Sequence, residues 1–164
     1  MSLVRKINKN FFKKWSNDMA YVLGFFAADG NMVKNRRGGH FLSFYSVDGD
    51  LLLSIKKIMK SGHKLSRRKY PSGEVYRFQI GSKEMFNDLL VLGFSPGKTK
   101  RLKLPNIPHK FFHDFVRGYF DGDGNVWAGH INKNRTTPTS VLQVAFTSGC
   151  EEFLKDLLSI LRKK

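Results

Sequence analysis

The sequence predicts an α+β fold built from two copies of one half, the second of them incomplete. An apolar stretch that is rich in small residues and ends in Asp-Gly occurs twice, at residues 21–30 and 115–124. Each copy is followed by two strand-like stretches around a hairpin turn, and then by a helical pattern. A second hairpin and a last helix follow only in the first copy. These observations predict two halves related by a pseudo-twofold axis.

The first repeat, predicted for residues 16–93, has the element order α-β-β-α-β-β-α. Ser16 or Asn17 would cap a helix that runs to about residue 28, and Gly30 would end it in the left-handed conformation. The elements that follow are strands at 31–37 and 40–47, a helix at 49–60 capped by Asp48, strands at 63–70 and 74–81, and a helix that Ser82 begins and Gly93 ends.

Alternation assigns the two faces of the sheet in the first repeat, because successive side chains of a strand point to opposite sides. Leu42 and Phe44 are predicted to face the core, with Ser43 and Tyr45 on the other face. In the last strand of this repeat, one face carries Tyr76, Phe78 and Ile80, and the other carries Val75, Arg77 and Gln79.

Residues 94–108 are predicted to form a linker, and residues 109–164 the second repeat. Its elements would be a helix at 109–122, strands at 125–131 and 141–147 around a long loop at 133–140, and a helix at 151–161. The apolar face of its two strands, with Leu142, Val144 and Phe146, would be only partly covered. We therefore expect a monomer if the fold is completed, and self-association otherwise.

Small residues recur four positions apart in both apolar stretches, as Gly24 and Ala28 and as Gly118 and Gly122. Residues at this spacing share one face of a helix, and small ones let two helix backbones approach closely. Glycine inside a helix costs up to ~1 kcal/mol relative to alanine, so two glycines in the second stretch call for a packing reason. The two helices are therefore predicted to pack against each other.

Two carboxylates, Asp29 and Asp123, would lie at the C-terminal ends of these helices, where the helix dipole disfavours negative charge. Side by side they would also repel, by about 3 kcal/mol at ~5 Å and an effective dielectric constant of ~20. A cation would offset this cost, and hard oxygen ligands beside a phosphate favour Mg²⁺, or another divalent ion such as Mn²⁺. For a single copy, an ordinary Asp-Gly turn would be the better interpretation.

The charge balance is strongly basic, with 29 Lys and Arg residues against 13 Asp and Glu residues and a formal net charge of +16. Such an excess favours a polyanion as partner, and nucleic acid is the strongest candidate. A solubilising surface usually mixes both signs, and membrane binding would call for a long amphipathic basic helix. We therefore expect nucleic acid, and no membrane, as the partner.

The remaining composition indicates a folded protein of a reducing compartment. The apolar fraction of 41% can form a core, and the longest apolar run, at residues 21–28, is too short to span a bilayer. The basic N-terminal stretch lacks the apolar segment of a signal peptide, and the single Cys150 cannot form an internal disulfide. We expect an intracellular location, in a bacterial cytoplasm or an organelle, without secretion.

A polar, basic face on each strand would suit a DNA groove, because side chains there read base edges and phosphates. Alternation and the hairpin loops supply the candidates. In the first repeat they are Asn31, Asn35, Arg37, Ser43, Tyr45, Arg67 or Arg68 with Lys69, Arg77 and Gln79. In the second repeat they are Asn125, Trp127, Lys133, Arg135, Gln143 and Thr147. Single lysines on helices, such as Lys56, Lys57 and Lys60, are better interpreted as solvated charges.

Both Asp-Gly stretches resemble the nine-residue signature of the LAGLIDADG homing endonucleases, at residues 22–30 and 116–124. The second copy is the closer match, with Asp121-Gly122-Asp123-Gly124, while the first has Ala27 at the sixth position, where aspartate is common. Residues 92–99 and 104–108 also look like the inter-repeat stretch of this family. The resemblance covers roughly residues 16–161.

This resemblance implies two homing-endonuclease halves whose sheets form a concave saddle on the DNA major groove. It implies a metal-dependent endonuclease that cleaves both strands of a long target site and is encoded within an intron or an intein. The metal-binding acid is the eighth residue of the signature, held here by Asp29 and Asp123, with the preceding residues Ala28 and Gly122 in the same site. A lysine near the linker often assists each active site, and Lys98 is the best match, with Lys100 second.

Two alternatives stay open from the sequence. A LAGLIDADG-like regulator would bind DNA without cleaving it, and the short second repeat favours this interpretation, whereas the presence of both aspartates favours cleavage. A role in RNA splicing, as a maturase, is the other alternative.

Overall fold

The computed structural model describes residues 5–132, 134 and 136–163 of the chain. It is α+β, and the predicted fold class and element order are confirmed. In chain order the elements are α1 (Asn17–Asp29), β1 (Gly30–Lys34), β2 (His40–Ser46), α2 (Gly49–Ile58), β3 (Leu65–Tyr70), β4 (Gly73–Gly81), α3 (Lys83–Val91), α4 (Phe112–Asp123), β5 (Gly124–Ile131), β6 (Thr139–Phe146) and α5 (Glu151–Leu161).

Helix α1 begins as predicted, because the Ser16 hydroxyl accepts a hydrogen bond from the Met19 amide at 3.1 Å. Its predicted left-handed end at Gly30 is wrong: this residue is extended, with φ −90° and ψ 155°, and starts β1 directly. The glycine serves a close contact instead, because a Cβ there would lie 2.2 Å from the Phe26 ring. Gly124 repeats this arrangement against Phe120 at the end of α4.

The first sheet has the strand order β1-β2-β4-β3, and all of its pairs are antiparallel. Leu42, Phe44, Phe78 and Ile80 occupy one face and are fully buried. Helices α2 and α3 contact this sheet and bury Leu52, Ile55, Met85, Phe86 and Leu89 in the same core. The opposite face of the sheet is therefore left free of helices α2 and α3.

Helix caps follow the predicted chemistry. The Asp48 carboxylate accepts from the amides of Asp50 and Leu51 at the start of α2, and Ser82 accepts from Met85 at the start of α3. Gly93, at φ +92°, ends α3 in the left-handed conformation. Helix α2 ends at Ile58, two residues earlier than predicted, because Lys60 takes the left-handed conformation at φ +51°.

The segment between α3 and α4 contains two short 3₁₀ turns, Lys98–Lys100 and His109–Phe111, which the sequence did not predict as elements. The second turn leads into α4, so this helix starts three residues later than predicted. The division into repeat, linker and repeat stays a prediction.

The second sheet, within the described residues, consists of β5 and β6 alone. Its register pairs Gly124 with Phe146, as that of the first sheet pairs Gly30 with Phe44. The aromatic pairs beneath also match: Phe26 and Phe44 lie 5.2 Å apart at 68°, and Phe120 and Phe146 lie 5.4 Å apart at 67°. The internal repeat thus extends to side-chain packing. None of the described helices is long and apolar enough to cross a membrane.

Candidate active site

Helices α1 and α4 form the most extensive contact between any two described elements. A Cβ on Gly24 would lie 2.0 Å from the Phe115 carbonyl oxygen, and one on Gly118 would lie 1.9 Å from that of Tyr21. Both distances are shorter than any side chain tolerates, so the two helix backbones touch through these glycines. This contact fixes how the C-terminal ends of the helices meet.

The paired helix ends bring four of the candidate site residues together. A Cβ on Gly122 would lie 2.4 Å from the Ala28 Cβ and 3.4 Å from Asp29 Oδ2, so Asp29 lies beside the end of α4. Asp123 is the last residue of α4, and its charge raises the pKa of Asp29. Two half-buried carboxylates from different repeats therefore share one site.

Both carboxylates are held in an environment that resists ionisation. Burial, followed by the charge of Asp123, raises the pKa of Asp29 to about 6, against an opposing effect of Lys98. Burial also raises the pKa of Asp123, again opposed by Lys98. A site that concentrates negative charge in this way gains free energy from a bound cation.

Lys98 lies near enough to both carboxylates to interact with their charges, and it is only 7% exposed. Its Nζ donates to the carbonyl oxygens of Ala27 and Ala28, at 2.6 and 3.0 Å, at the end of α1. Burial lowers its pKa to about 8, although both aspartates oppose this shift. The other candidate, Lys100, is exposed in the same 3₁₀ turn.

The donor set can be tested for its fit to a divalent cation. Among the described residues, no group of three or more His, Cys, Asp or Glu side chains could hold a metal ion. A metal here would therefore depend on two carboxylates, backbone carbonyls such as that of Ala28, and non-protein ligands. That donor set fits Mg²⁺, which is commonly held by one or two carboxylates together with water and substrate phosphates.

Asp121, a third acidic residue near the site, was not among the predicted site residues. The Tyr21 hydroxyl donates to Asp121 at 2.7 Å, and the Arg117 guanidinium lies over the Tyr21 ring at 4.7 Å. This hydrogen bond links α1 to α4 through Asp121 of the second repeat. The first repeat has Ala27 at the matching position, which cannot accept the equivalent hydrogen bond. That difference between the two copies was the available sequence signal.

The helix-free face of the first sheet carries rows of polar side chains across its strands. Asn31 pairs with Ser43 and Ser43 with Gln79, while Tyr45 pairs with Arg77. A groove of about 400 Å³ on this face is lined by Tyr45, Ser66, Arg67, Arg68, Tyr70, Val75 and Arg77. Sequence reasoning missed Ser66 and Tyr70 of β3, and it placed Val75 on the face of Arg77 without counting Val75 as a site residue.

Register divides the three basic residues of β3 between the two faces of the sheet. Arg67 pairs with Tyr76 and Lys69 with Glu74, so both belong to the face opposite Arg77. There both bind the Glu74 carboxylate, at 3.3 Å and 3.5 Å. Arg68, opposite Val75, shares the face of Arg77, and Arg67 lines the groove from its position on the edge strand β3. Three consecutive basic residues give no alternation, so the phase of this strand depends on its partner.

Two further candidates have structural tasks. Ser43 is only 3% exposed, and its hydroxyl accepts a hydrogen bond from Gln79 Nε2 at 3.0 Å, so Ser43 holds the Gln79 amide. The side-chain Oδ1 of Asn35 accepts hydrogen bonds from the backbone amides of Arg37 and Gly39 and thereby holds the hairpin turn. Arg37 is exposed at the tip of that turn.

In the second repeat, Asn125, Trp127, Gln143 and Thr147 are exposed. Trp127 pairs with Gln143 across the two strands, on the face opposite Val126 and Val144. The Thr147 amide donates to the Asp123 carbonyl at 3.1 Å, which places Thr147 next to the end of α4. Lys133 and Arg135 lie outside the described residues.

Comparison with solved structures finds clear similarity despite low sequence identity. The homing endonuclease I-WcaI bound to its DNA recognition sequence is 22% identical, with a TM-score of 0.61 over 95% of this chain and 72% of that chain. The I-SmaMI LAGLIDADG homing endonuclease bound to cleaved DNA is 17% identical, with a TM-score of 0.55 over 91% and 72%. I-SmaMI bound to an uncleaved DNA target with calcium ions is 16% identical, with a TM-score of 0.55 over 91% and 74%.

Neither the protein-family models nor the curated proteins give a match to the sequence. At 16–22% identity the similar structures establish the architecture alone. The chain has the fold of the LAGLIDADG homing endonucleases.

Proposed function

We propose that this chain is a sequence-specific, divalent-metal-dependent DNA endonuclease that cleaves both strands of a long target site. The observation that carries the proposal is the pair of carboxylates, Asp29 and Asp123, at the touching ends of two helices. A buried lysine lies beside them, and a polar, basic sheet face adjoins them. Similar structures that are DNA-bound homing endonucleases support the same function.

Asp29 and Asp123, with the backbone carbonyls of Ala28 and Gly122, would hold the divalent cation, and Mg²⁺ is the best fit to these hard oxygen donors. When bound, it would lower the pKa of a water molecule and stabilise the leaving oxygen. The two aspartates must lose their protons to bind it, so the raised pKa of each is relieved by binding. The calcium ions in one similar structure support a divalent cation in general.

Lys98 would stabilise negative charge that develops on the phosphate. Two carbonyl oxygens hold its ammonium group in place, which leaves a third N–H for a phosphate oxygen. Its pKa of about 8 keeps the group mostly protonated at pH 7. A preoriented charge in a buried site contributes more to catalysis than one in solvent.

The groove face of the first sheet would bind the DNA. Arg68, Arg77 and Gln79 can contact phosphates and base edges, and Ser43 orients the Gln79 amide. If about eight phosphates are neutralised, log affinity falls with log salt at a slope near −7. A slope shallower than about −2 would contradict a nucleic-acid footprint for the +16 charge.

The test is cleavage of DNA that spans the insertion site of its own gene, with Mg²⁺. Asp29→Asn and Asp123→Asn should each abolish double-strand cleavage and leave DNA binding unchanged or tighter, because repulsion falls. Asp18→Asn, on the exposed first turn of α1, is the matched control and should cut normally. An Asp29 or Asp123 variant that cuts both strands at the wild-type rate would refute the assignment.

A second candidate function is DNA binding without cleavage, as in a regulator. The exposed apolar face of the second sheet favours it, because a loosely held half would position one DNA strand poorly. The wild-type chain would then bind the target tightly and leave it intact with Mg²⁺ or Mn²⁺. A role as an RNA maturase stays a prediction without a structural observation in its favour.

An intracellular location, in a bacterial cytoplasm or an organelle, and an origin within an intron or an intein complete the proposal. The single buried Cys150, which donates its thiol to the Leu102 carbonyl, fits a reducing compartment. Localisation of a tagged chain in its host would test the first point.

A further inference from the structure

A second basic surface lies on helix α2. Leu53, Lys56, Lys57 and Lys60 line a groove of about 440 Å³ together with Lys6 and the Ser61–Gly62 turn. We call this set the α2 lysine groove. Leu53, Lys56 and Lys57 follow helical spacing along α2, and Lys60 lies just beyond the end of the helix. Leu52 and Ile55 of α2, with Met59 at its C-cap, are fully buried in the core.

The α2 lysine groove is remote from the DNA-binding face proposed above. Helix α2 packs on the core face of the sheet, which carries Phe44 and Phe78, whereas Tyr45 and Arg77 point to the other side. The lysines lie on the outer surface of α2, so a layer of helix and sheet separates them from the groove beside Arg77. A duplex held on one face cannot reach the other.

The charges of this groove are not compensated within the described part of the chain. In the described part of the chain, none of the ion pairs involves Lys6, Lys56, Lys57 or Lys60. The basic residues that do form ion pairs are Lys9, Arg67, Lys69, His113, Arg117 and Lys155. Like charges that are held close together on one surface repel each other. The arrangement therefore costs stability as it stands.

The helix dipole explains only part of the cluster. Basic residues in the last turn of α2 favour the C-terminal end of the helix, which would account for Lys56 and Lys57. Lys6, however, comes from the N-terminal segment, which the Gly62 amide holds by a 2.7 Å hydrogen bond to the Lys6 carbonyl. Lys60 is placed by a left-handed backbone, at φ +51°, that a lysine rarely adopts.

The buried His63 lies next to Ser61 of the groove, and its pKa is sensitive to the positive charge there. His63 is 9% exposed, and its Nδ1 lies 2.9 Å from the Ser61 hydroxyl. Burial, followed by the positive charges of Arg5 and Lys56, lowers the pKa of His63. A polyanion bound over the groove would oppose that positive field and raise the pKa.

We propose that the α2 lysine groove is a second nucleic-acid site, which binds the sugar–phosphate backbone of a separate nucleic-acid segment without reading its sequence. Ammonium groups act as point charges toward phosphate. The groove lining contains no aromatic or amide side chain that would stack on or read a base. Leu53 is a single exposed apolar residue, too little for insertion into a membrane. Nucleic acid is thus the best occupant.

The test counts DNA duplexes per protein at low salt, with a 24-bp duplex as the probe and native mass spectrometry as the readout. The wild-type chain should bind two duplexes, and the variant Lys6→Gln/Lys57→Gln/Lys60→Gln should bind one. The variant Lys13→Gln/Lys14→Gln/Lys83→Gln removes the same charge from other exposed positions and should still bind two. The salt slope of the second binding event should be about −2.7 for three phosphates.

A second readout is the pKa of His63, followed by NMR with and without the duplex. The triple variant keeps Arg5 and Lys56, so the field at His63 is retained while the proposed contacts are lost. The pKa should rise on DNA addition in the wild type and in the control, but not in the variant. If DNA binding at the groove beside Arg77 alone fails, the wild type binds one duplex and the variant none.

Two outcomes would overturn this site. The first is a wild-type chain that binds one duplex with no change in the pKa of His63, or a triple variant that matches the wild type. The second is a pKa change that appears with phosphatidylserine-containing vesicles and not with DNA, which would assign the groove to a membrane surface.

Discussion

Met32 and Leu42 of the first repeat are 1% and 0% exposed, whereas Val126 and Val144, at the matching positions of the second repeat, are both 56% exposed. The backbone is equivalent, because Gly30 and Gly124 start both hairpins in the same register. The difference lies in what covers the strands. In the first repeat β2 also pairs with β4, and α2 and α3 pack on the same face.

The comparison separates what a repeat needs locally from what it needs at long range. The helix, the following hairpin and the Phe–Phe contact form in both copies, since short-range contacts specify them. A closed apolar face requires strands and helices from farther along the chain. Hydrophobic stabilisation scales with the area removed from water, so the second sheet gains less from the same pattern.

The largest expected effect compares two leucines on these faces. Leu42→Ala should destabilise the protein by about 2–5 kcal/mol, because it leaves a cavity in a closed core. Leu142→Ala should cost less than about 0.5 kcal/mol, because Leu142 is 70% exposed. Urea unfolding measures both. Equal losses would mean that Leu142 is covered in solution, as self-association through this face would bring about.

The next effect compares the two helix ends. Lys98 contacts the end of α1, and in the described part of the chain no ammonium group contacts the equivalent carbonyls of Asp121 and Gly122. We expect one DNA strand to be cut faster, by about 10²-fold, the effect of one preoriented donor on catalysis. Supercoiled plasmid with the target site should therefore accumulate nicked circles before linear DNA.

Lys98→Gln should remove this difference by slowing the faster cut to the rate of the slower one. Lys100→Gln, in the same 3₁₀ turn but exposed, is the control and should retain the nicked intermediate. Concerted cutting of both strands by the wild type would show that the two ends are equivalent.

A third comparison uses the symmetric part of the molecule. Gly24→Ala and Gly118→Ala should each destabilise by about 2–3 kcal/mol, because each new Cβ would meet a backbone carbonyl at 2.0 or 1.9 Å. Gly62→Ala is the control, since its Cβ would lie 3.5 Å from the nearest atom, in ordinary contact. Melting temperatures measure all three. If the melting temperatures of both the Gly24 and the Gly118 variant were unchanged, the backbone contact between α1 and α4 would be refuted.

The helix pair and the sheet faces were predictable from the sequence because they depend on periodicity. Gly24 and Gly118 recur at the same place in two copies, and alternation around Leu42 and Phe44 has only one phase that buries both. Part of the candidate site could be predicted in the same way, because Asp29 and Asp123 are the last residues of those two helices.

Other features could not be predicted, for identifiable reasons. The phase of β3 depends on pairing with β4, since Arg67, Arg68 and Lys69 offer no apolar residue to fix it. The extended backbone of Gly30 reflects a ring contact with Phe26, which a local turn rule does not contain. The Tyr21–Asp121 hydrogen bond joins residues distant in sequence, and only the helix packing brings them together.

The smallest expected effect concerns the pH dependence of stability in the metal-free protein. The pKa of Asp29 is raised from its ordinary value of 3.8 to about 6, so the folded chain binds more protons than the unfolded chain between these values. Stability therefore falls as pH rises from about 4 to about 6 and stays lower above that range. Because Asp29 is partly exposed, solvent screening reduces the effect to roughly 1–2 kcal/mol.

Asp29→Asn should flatten this fall, since the amide carries no charge to bury, and Asp123→Asn should flatten it indirectly by removing the repelling charge from Asp29. Urea unfolding between pH 4 and pH 7 measures the slope, below the range in which Lys98, with a pKa of about 8, loses its proton. Asp18→Asn should leave the slope in place. A pH profile that is the same in the wild type and in the Asp29 variant would mean that the two carboxylates ionise independently in solution, and the shared site that joins the repeats would then be wrong.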